Sequence, residues 1–421
     1  MRQYARDKRP RVKPVIKLEL NDDNKKIRII ALIVCLAIAV ISIIVFLSSL
    51  LEEKDGWTVI ESKDSMIGLT DEIVLSYCLG TGDASATSEC RAIENIYSSL
   101  LVKFHRIFNL YEEFDGVKNL YYINRHIGEE IVVDKSLYDA LSLIKSYNEN
   151  LIYLQPIYSH YGELFLSEAD AYAKDLDPYY SNETLQYFSS VIGFASDRSK
   201  ISLELLGENR LRLNVSEDYQ IFASENAIDS FIGIADLRNA FIVDEIAASL
   251  INSGYRYGSL VTSDGYMRNL DNQNRYSYNL FDKQDNVIYT SSVIDYQGDI
   301  SLVMFRNYPF SNLDFRRLYQ YASGECATLY IDAESGKYKA STDTFYAYSY
   351  NEGCAQVALK TMPLYVNDNL DLALLNSYIL NGFNFVWHED ACVRYTDSKA
   401  NISLSYQYDE VSYTNKFFPE N

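Results

Sequence analysis

The sequence predicts a mixed α/β domain, α+β in the irregularity of its order, preceded by one transmembrane helix. Three observations carry that expectation. An uncharged apolar run lies near the N-terminus, long segments repeat apolar residues at helical spacing, and short alternating segments are closed by turn residues. Roughly half of the 421 residues are hydrophobic, which marks a chain able to bury a core. The net charge of −20 argues against a nucleic-acid partner, because phosphate recognition needs a basic surface. Four histidines leave little room for histidine-based metal or acid–base chemistry.

Charge divides the chain into segments. Residues 1–28 are rich in Lys and Arg, such as Arg2, Lys8, Lys25, Lys26 and Arg28. Residues 29–51, "IIALIVCLAIAVISIIVFLSSLL", carry no charge at all. At about 1.5 Å per residue the run is long enough for a hydrocarbon core of about 30 Å. It exceeds the apolar core of about 7–15 residues usual in a cleaved signal peptide. The expectation is a basic cytoplasmic tail (1–28), a single-pass span in the cell membrane (29–51), a membrane-proximal segment (52–84) and an acidic extracellular domain (85–421).

Outside a cell, disulfides are allowed, but spacing does not assign them among Cys78, Cys90, Cys326, Cys354 and Cys392. No CxxC or Cys/His cluster indicates a structural metal.

The membrane-proximal segment runs into a short strand in "MIGLTDEIVLSYCLG". "TSECRAIENIYSSLLVKFHRIFNLYEEFDG" spaces Ile93, Ile96, Tyr97, Leu100, Leu101, Phe104, Phe108 and Tyr111 as one helical stripe, with Thr87 and Ser88 as candidate caps. A connecting segment leads to a second helix capped by Asp134, with Leu137, Leu141 and Ile144 inward. An irregular tyrosine-rich region precedes the helix "ETLQYFSSV" and a hairpin, "ISLELLGENRLRLNV", turning at its Gly-Glu-Asn.

"FIGIADLRNAFIVDEIAASLINSGY" reads as a strand end, a loop and a helix on which Ile242, Ile246 and Leu250 recur, stopped by Gly254. Alternating strands follow to about residue 331, then the helix "NLDLALLNSYILNG" and the strand pair "FNFVWHEDACVRYTD". The 37 tyrosines often alternate with polar residues, as half-buried strands do; exposed, they would form a surface for proteins or sugars. Asn182, Asn214 and Asn401 head glycosylation-type triplets.

The loop before that helix is where a phosphate is usually held by glycines, backbone N–H groups and a cation. Here it offers Asp236, Arg238, Asn239 and Ala240, with no glycine after Gly233. "TSDGY" and "DAESGK" read as Asp-Gly and hairpin turns, since neither has the spacing of a nucleophile elbow or a phosphate loop.

Three stretches follow in order: "FNLYEEFDGVKNLYYINRHIGEEIVVDKSLYDALSLIKSYNE", "GIADLRNAFIVDEIAASLINSGYRYGSLVTSDGYMRNL" and "ATLYIDAESGKYKASTDTFYAYSYNEG". Together they resemble the FAD:protein FMN transferase (ApbE-like) family. The resemblance implies a flavin-transferase fold that holds FAD and Mg²⁺ and transfers FMN to a threonine, using a lysine, glycines and the metal on the pyrophosphate. In this chain the lysine of D-L-G-G-I-A-K-G-Y-A-x-D falls on Asn239 and the glycine after it on Ala240. The leading aspartate falls on Gly233, and the paired glycines fall near Ala235 and Asp236.

The A-G-G loop reads Thr262-Ser263-Asp264-Gly265. The metal aspartate falls on Tyr338, while its threonine is kept as Thr342 beside Ser341. The G-P stretch becomes Gln155-Pro156, and H-H-I-I-D-P has no counterpart, because no histidine lies between His160 and His388.

The expected function follows from those losses: a membrane-anchored ApbE-like domain without FMN transfer, acting as a scaffold or binding a protein partner at the surface. No catalytic residue and no cofactor are expected. A remnant cleft would involve Arg238, Asn239, Thr262, Ser263, Asp264, Gly265 and Ser341, with Thr342 as a remnant metal position. Two alternatives stay open. One is an active transferase with a rebuilt site, in which Arg238, Asp332 and Asp343 take new roles with FAD and Mg²⁺. The other is a surface adhesin.

Overall fold

In a computed structural model, residues 54–63, 72–82, 84–271, 273–405 and 411–419 are described. The apolar run 29–51 lies outside them, and among the described residues no helix is long and apolar enough to cross a membrane.

The frame is a nine-stranded sheet. Its order is Gly56–Ile60, Ile73–Leu79, Gly258–Thr262, Tyr266–Asn269, Ser301–Arg306, Thr344–Ser349, Phe383–Glu389, Cys392–Tyr395 and Thr414–Phe417. Neighbours pair antiparallel except the last two. The first two strands occupy the segment expected to be membrane-proximal. Glycine turns and β-branched residues in "GWTVI" and "IVLSYCL" pair it directly into the main sheet.

Alternation explains why the central strands are buried throughout. From Ser301–Arg306, Val303 and Phe305 enter one core, while Leu302 and Met304 enter another. Across from them, Phe345 and Ala347 join the first core, and Tyr346 and Tyr348 the second. Helices Ala86–Ile107, Arg238–Asn252 and Cys354–Tyr365 share the first core with those strands. A three-stranded sheet (Arg275–Gln284, Val287–Gln297, Asn401–Leu404) contributes to the second. The result is three layers with two cores, and Lys54–Asn421 forms one compact unit.

Several expected elements stand where their patterns put them. Asp134 caps Lys135–Asn148 by accepting from the Ser136 N–H, and Leu137, Leu141 and Ile144 are buried. The Gly-Glu-Asn hairpin turns through left-handed Glu208 and Asn209. Ile242, Ile246 and Leu250 are buried on Arg238–Asn252, each side chain contributing roughly 1.5–3 kcal/mol of burial.

Elsewhere the structure corrects the reading. The first long helix is capped by Ser85, not by Thr87 or Ser88, and ends at Ile107, so Tyr111 lies beyond it and is exposed. The tyrosine-rich region contains helix Gln155–Phe165, and the connecting segment contains Leu120–Arg125. Residues 231–234 are not a strand. They thread through the core held by Asn124, whose Oδ1 accepts from the Phe231 and Ile232 N–H groups (2.7 and 2.9 Å) while Nδ2 donates to the Ile232 carbonyl. A side-chain bracket replaces a strand ladder there. No disulfide joins any two of the described cysteines.

Candidate functional site

The loop feeding helix Arg238–Asn252 is a single 3₁₀ turn, Ala235–Leu237. That turn, the hairpin Gly258–Asn269, the segment before strand Ile73–Leu79 and the short helix Asp314–Arg316 meet at one place. They bring together a cluster of buried charges.

Asn239, almost wholly buried, is its hinge. Its Nδ2 donates to Asp264 Oδ2 (2.9 Å) and to Glu72 Oε2 (3.0 Å), and its Oδ1 accepts from Arg238 Nε (3.2 Å). Glu72 also pairs with Arg238 and with Arg316 (3.2 Å). Arg317 lies between two carboxylates, bonding Asp236 and, at 2.8 Å, Asp264.

The turn residues of 262–265 serve the same cluster. Thr262 Oγ1 accepts from the Tyr266 N–H (2.9 Å). The Ser263 N–H donates to the Glu72 carbonyl (2.8 Å), and its own carbonyl accepts from Arg306 (3.1 Å). Gly265 sits at φ +100°, and a Cβ there would overlap the Met304 carbonyl oxygen, so glycine is required.

Electrostatics follow from burial. Loss of water pushes the Asp236 carboxyl up from its ordinary value, with Arg317 opposing that rise. Burial also pushes Glu72 up, but Arg238, the Asn239 hydrogen bond and Arg317 outweigh it and hold the carboxyl below its ordinary range. Asp264 Oδ1 is buried and has no hydrogen-bond partner.

Beside Asp236 and Arg317 lies a cavity of about 20 Å³, lined also by Arg306, Asp314 and Tyr330. That suffices for about one water molecule, since a water needs roughly 10–15 Å³ measured this way. A pyrophosphate does not fit it.

Ser341 and Thr342 lie apart from this cluster. Ser341 Oγ donates to the Leu364 carbonyl and Thr342 Oγ1 to the Thr344 carbonyl. Both line a separate cavity of about 470 Å³, together with Asp343 and His388 and none of residues 262–265. The cleft expected between the 262–265 turn and Ser341/Thr342 is therefore divided by the end of strand Ser301–Arg306.

Tyr338 donates its hydroxyl to buried Asp177 (3.0 Å), as does Tyr321 (2.6 Å). Asp332 accepts from Ser335 and pairs with Lys339, while Asp343 accepts from Asn307. No contact joins Arg238, Asp332 and Asp343 into one site, and among the described residues no group of acidic, His or Cys side chains is placed to hold a metal ion. The magnesium that the resemblance implies thus finds no group of three or more His, Cys, Asp or Glu side chains among the described residues. At Gly233 the end of the Gln155 side chain fills the space a Cβ would take, so a larger residue there would have to displace it.

Sequence reasoning missed Glu72, Arg316 and Arg317. An arginine doublet in a strongly acidic chain was the available signal for the last two.

A three-layered mixed α/β frame with a closed ion cluster at the loop before its central helix defines the class. Compared with solved structures, the chain is similar to the ApbE protein of Thermotoga maritima (TM-score 0.53, 10% identity, 78% of this chain and 94% of that one). It is likewise similar to the flavin transferase ApbE of Vibrio cholerae (TM-score 0.53, 12% identity, 85% of this chain and 100% of that one). The fold is ApbE-like. No protein-family model matches the sequence, and no curated protein matches it either.

Proposed function

We propose that this chain is a membrane-anchored, extracytoplasmic ApbE-fold protein that has lost FMN transfer and binds a protein partner at the cell surface. The observation that carries the reading is Arg317 held between Asp236 and Asp264. A flavin dinucleotide would need unpaired cations and open space at this loop. Here the arginines are already matched to carboxylates, and the adjoining room holds about one water. Opening the cluster for a pyrophosphate would place its charge beside Asp236, Asp264 and Glu72, a repulsion that low dielectric strengthens.

The basic residues before an uncharged run of 23 support an N-terminus inside and the domain outside. Burial of Tyr276, Tyr296, Tyr346 and Tyr348 weighs against adhesion through strand tyrosines.

The deciding experiment titrates the purified full chain with FAD and Mg²⁺, following flavin fluorescence. Absence of binding at hundreds of micromolar FAD is the expected result. Binding in the low micromolar range would refute the reading and return an active transferase with a rebuilt site.

A further inference from the structure

Strands Gly56–Ile60, Ile73–Leu79 and Gly258–Thr262 stand at one end of the nine-stranded sheet. On one side their residues Ile60, Leu75, Tyr77 and Leu260 join the first core. On the other side the second core reaches only as far as Tyr257 and Val261, which pack against it. Beyond them Trp57, Val59 and Val74 belong to neither core and are 51%, 56% and 41% exposed. Alternation sets the three on one face, since Trp57 pairs with Cys78 and Val59 with Ser76, both in step with Val74.

The face is apolar and carries no charge. None of the three strands contains an Asp, Glu, Lys or Arg, in a chain of net charge −20. Trp57 is exposed yet held: its ring meets Tyr257 edge-on with centroids 5.0 Å apart, and Tyr276 at 6.4 Å. Gly56–Ile60 is also an edge strand among the described residues, without the Lys or Pro that usually blunts an edge.

An apolar face does not name its occupant, but its place in the chain does. The uncharged run 29–51 ends at Leu51, six residues before Trp57. At no more than about 3.6 Å per residue, those six residues reach about 22 Å however they run. The headgroup layer takes up about 5–8 Å of that distance. A chain anchored by the run therefore keeps Trp57 close to the lipid surface, where tryptophan is enriched at the level of the headgroups.

We propose that the face of Trp57, Val59 and Val74 lies against the bilayer that holds the chain, with the indole ring among the headgroups. The strand edge limits the depth, because its backbone groups find partners in headgroups and water but not in hydrocarbon. The face is small and holds the domain only while the tether keeps it at high local concentration. The inference rests on the membrane anchor of the proposed function and extends it from a tether to a fixed orientation of the domain.

The chain has two tryptophans, and Trp387 is only 1% exposed, so a quencher carried by lipid reports on Trp57. The full chain is reconstituted in phosphatidylcholine vesicles whose acyl chains carry bromine near the glycerol end. Flotation with the vesicles is followed beside tryptophan emission. The expected result is flotation, with Trp57 emission quenched about twofold relative to unbrominated vesicles at this interfacial depth. The quenching should vanish in Trp57→Phe.

Val59→Glu with Val74→Glu should remove most of the quenching while flotation persists, since the added charges stay hydrated only away from the bilayer. Both side chains are exposed, so the fold should tolerate the change, and near-ultraviolet circular dichroism checks it. A chain that floats with Trp57 unquenched overturns this inference and leaves the anchor standing. In that case, shielding of Trp57 from acrylamide assigns the face to a second copy or a protein partner. A chain that does not float overturns both readings, and quenching unaltered in the double variant overturns this one.

Discussion

Arg317 donates to Asp264 across 2.8 Å while the same guanidinium nitrogen bonds Asp236, so one cation serves two carboxylates from different parts of the sheet-and-helix frame. The side chains of both aspartates are at most 9% exposed. Arg317→Ala would leave two buried carboxyl groups facing each other with no cation between them. The expected cost is about 3–5 kcal/mol, as for other broken buried pairs. Urea unfolding of the full chain measures it. The combination Arg317→Met, Asp236→Asn, Asp264→Asn should recover most of the loss, and a single-variant cost below about 1 kcal/mol would show that the cluster is not closed.

On the function proposed above, changing the loop alone should not produce FMN transfer. Asn239→Lys with Asp236→Gly supplies the lysine and one glycine, but Glu72, Asp264 and Gln155 remain. The measurement is covalent flavin on a threonine-bearing acceptor, read as in-gel fluorescence. It should stay at background, and robust labelling would show the site was misjudged.

Glu72 gives the acid side of the stability profile. Its folded pKa is held below the ordinary 4.5, so the unfolded state binds the proton more readily. The stabilisation is present above about pH 4.5 and is lost as pH falls through the lower, folded value. Glu72→Gln removes that dependence. Thermal unfolding from pH 6 down to 3 should show a shallower decline for the variant than for the native chain; parallel curves would remove Glu72 from the account.

Truncation tests where the domain begins. A chain starting at Lys54 should fold and stay soluble without detergent, because it retains the strands Gly56–Ile60 and Ile73–Leu79. A chain starting at Ser85 loses both. It exposes the edge of Gly258–Thr262 and bares Leu75 and Leu79 partners in the core, and it should aggregate. Size-exclusion chromatography separates the two outcomes, and equal solubility would mean that these strands are dispensable.

Local pattern was enough where an element has one wet face. Ile242, Ile246 and Leu250 announced Arg238–Asn252, and Asp134 announced the start of Lys135–Asn148. Helix Cys354–Tyr365 went unread because it is buried nearly all round and carries Pro363 inside it, so no amphipathic stripe marks it. Gln155–Phe165 hid behind Pro156 for a similar reason, although proline suits a first helical turn. Asp244 of Arg238–Asn252 accepts from the Cys354 and Ala355 N–H groups (2.8 and 2.9 Å), so its side chain meets the start of the unread helix Cys354–Tyr365.

The sequence by itself determined the mixed α/β character, an order of segments that resembles ApbE-like proteins, and the identities of Asp236, Asn239 and Ala240 at the loop before the central helix. Those properties live in composition, periodicity and residue identity. Only the tertiary structure decided what those residues do, because Glu72, Asn239, Asp264 and Arg317 come from four distant segments that the sheet and its helices bring within hydrogen-bond reach. It likewise parted Ser341 and Thr342 from that cluster and set His388 beside Asp282. A buried charge takes its partner from whatever the fold places beside it, and separation along the chain does not encode that distance.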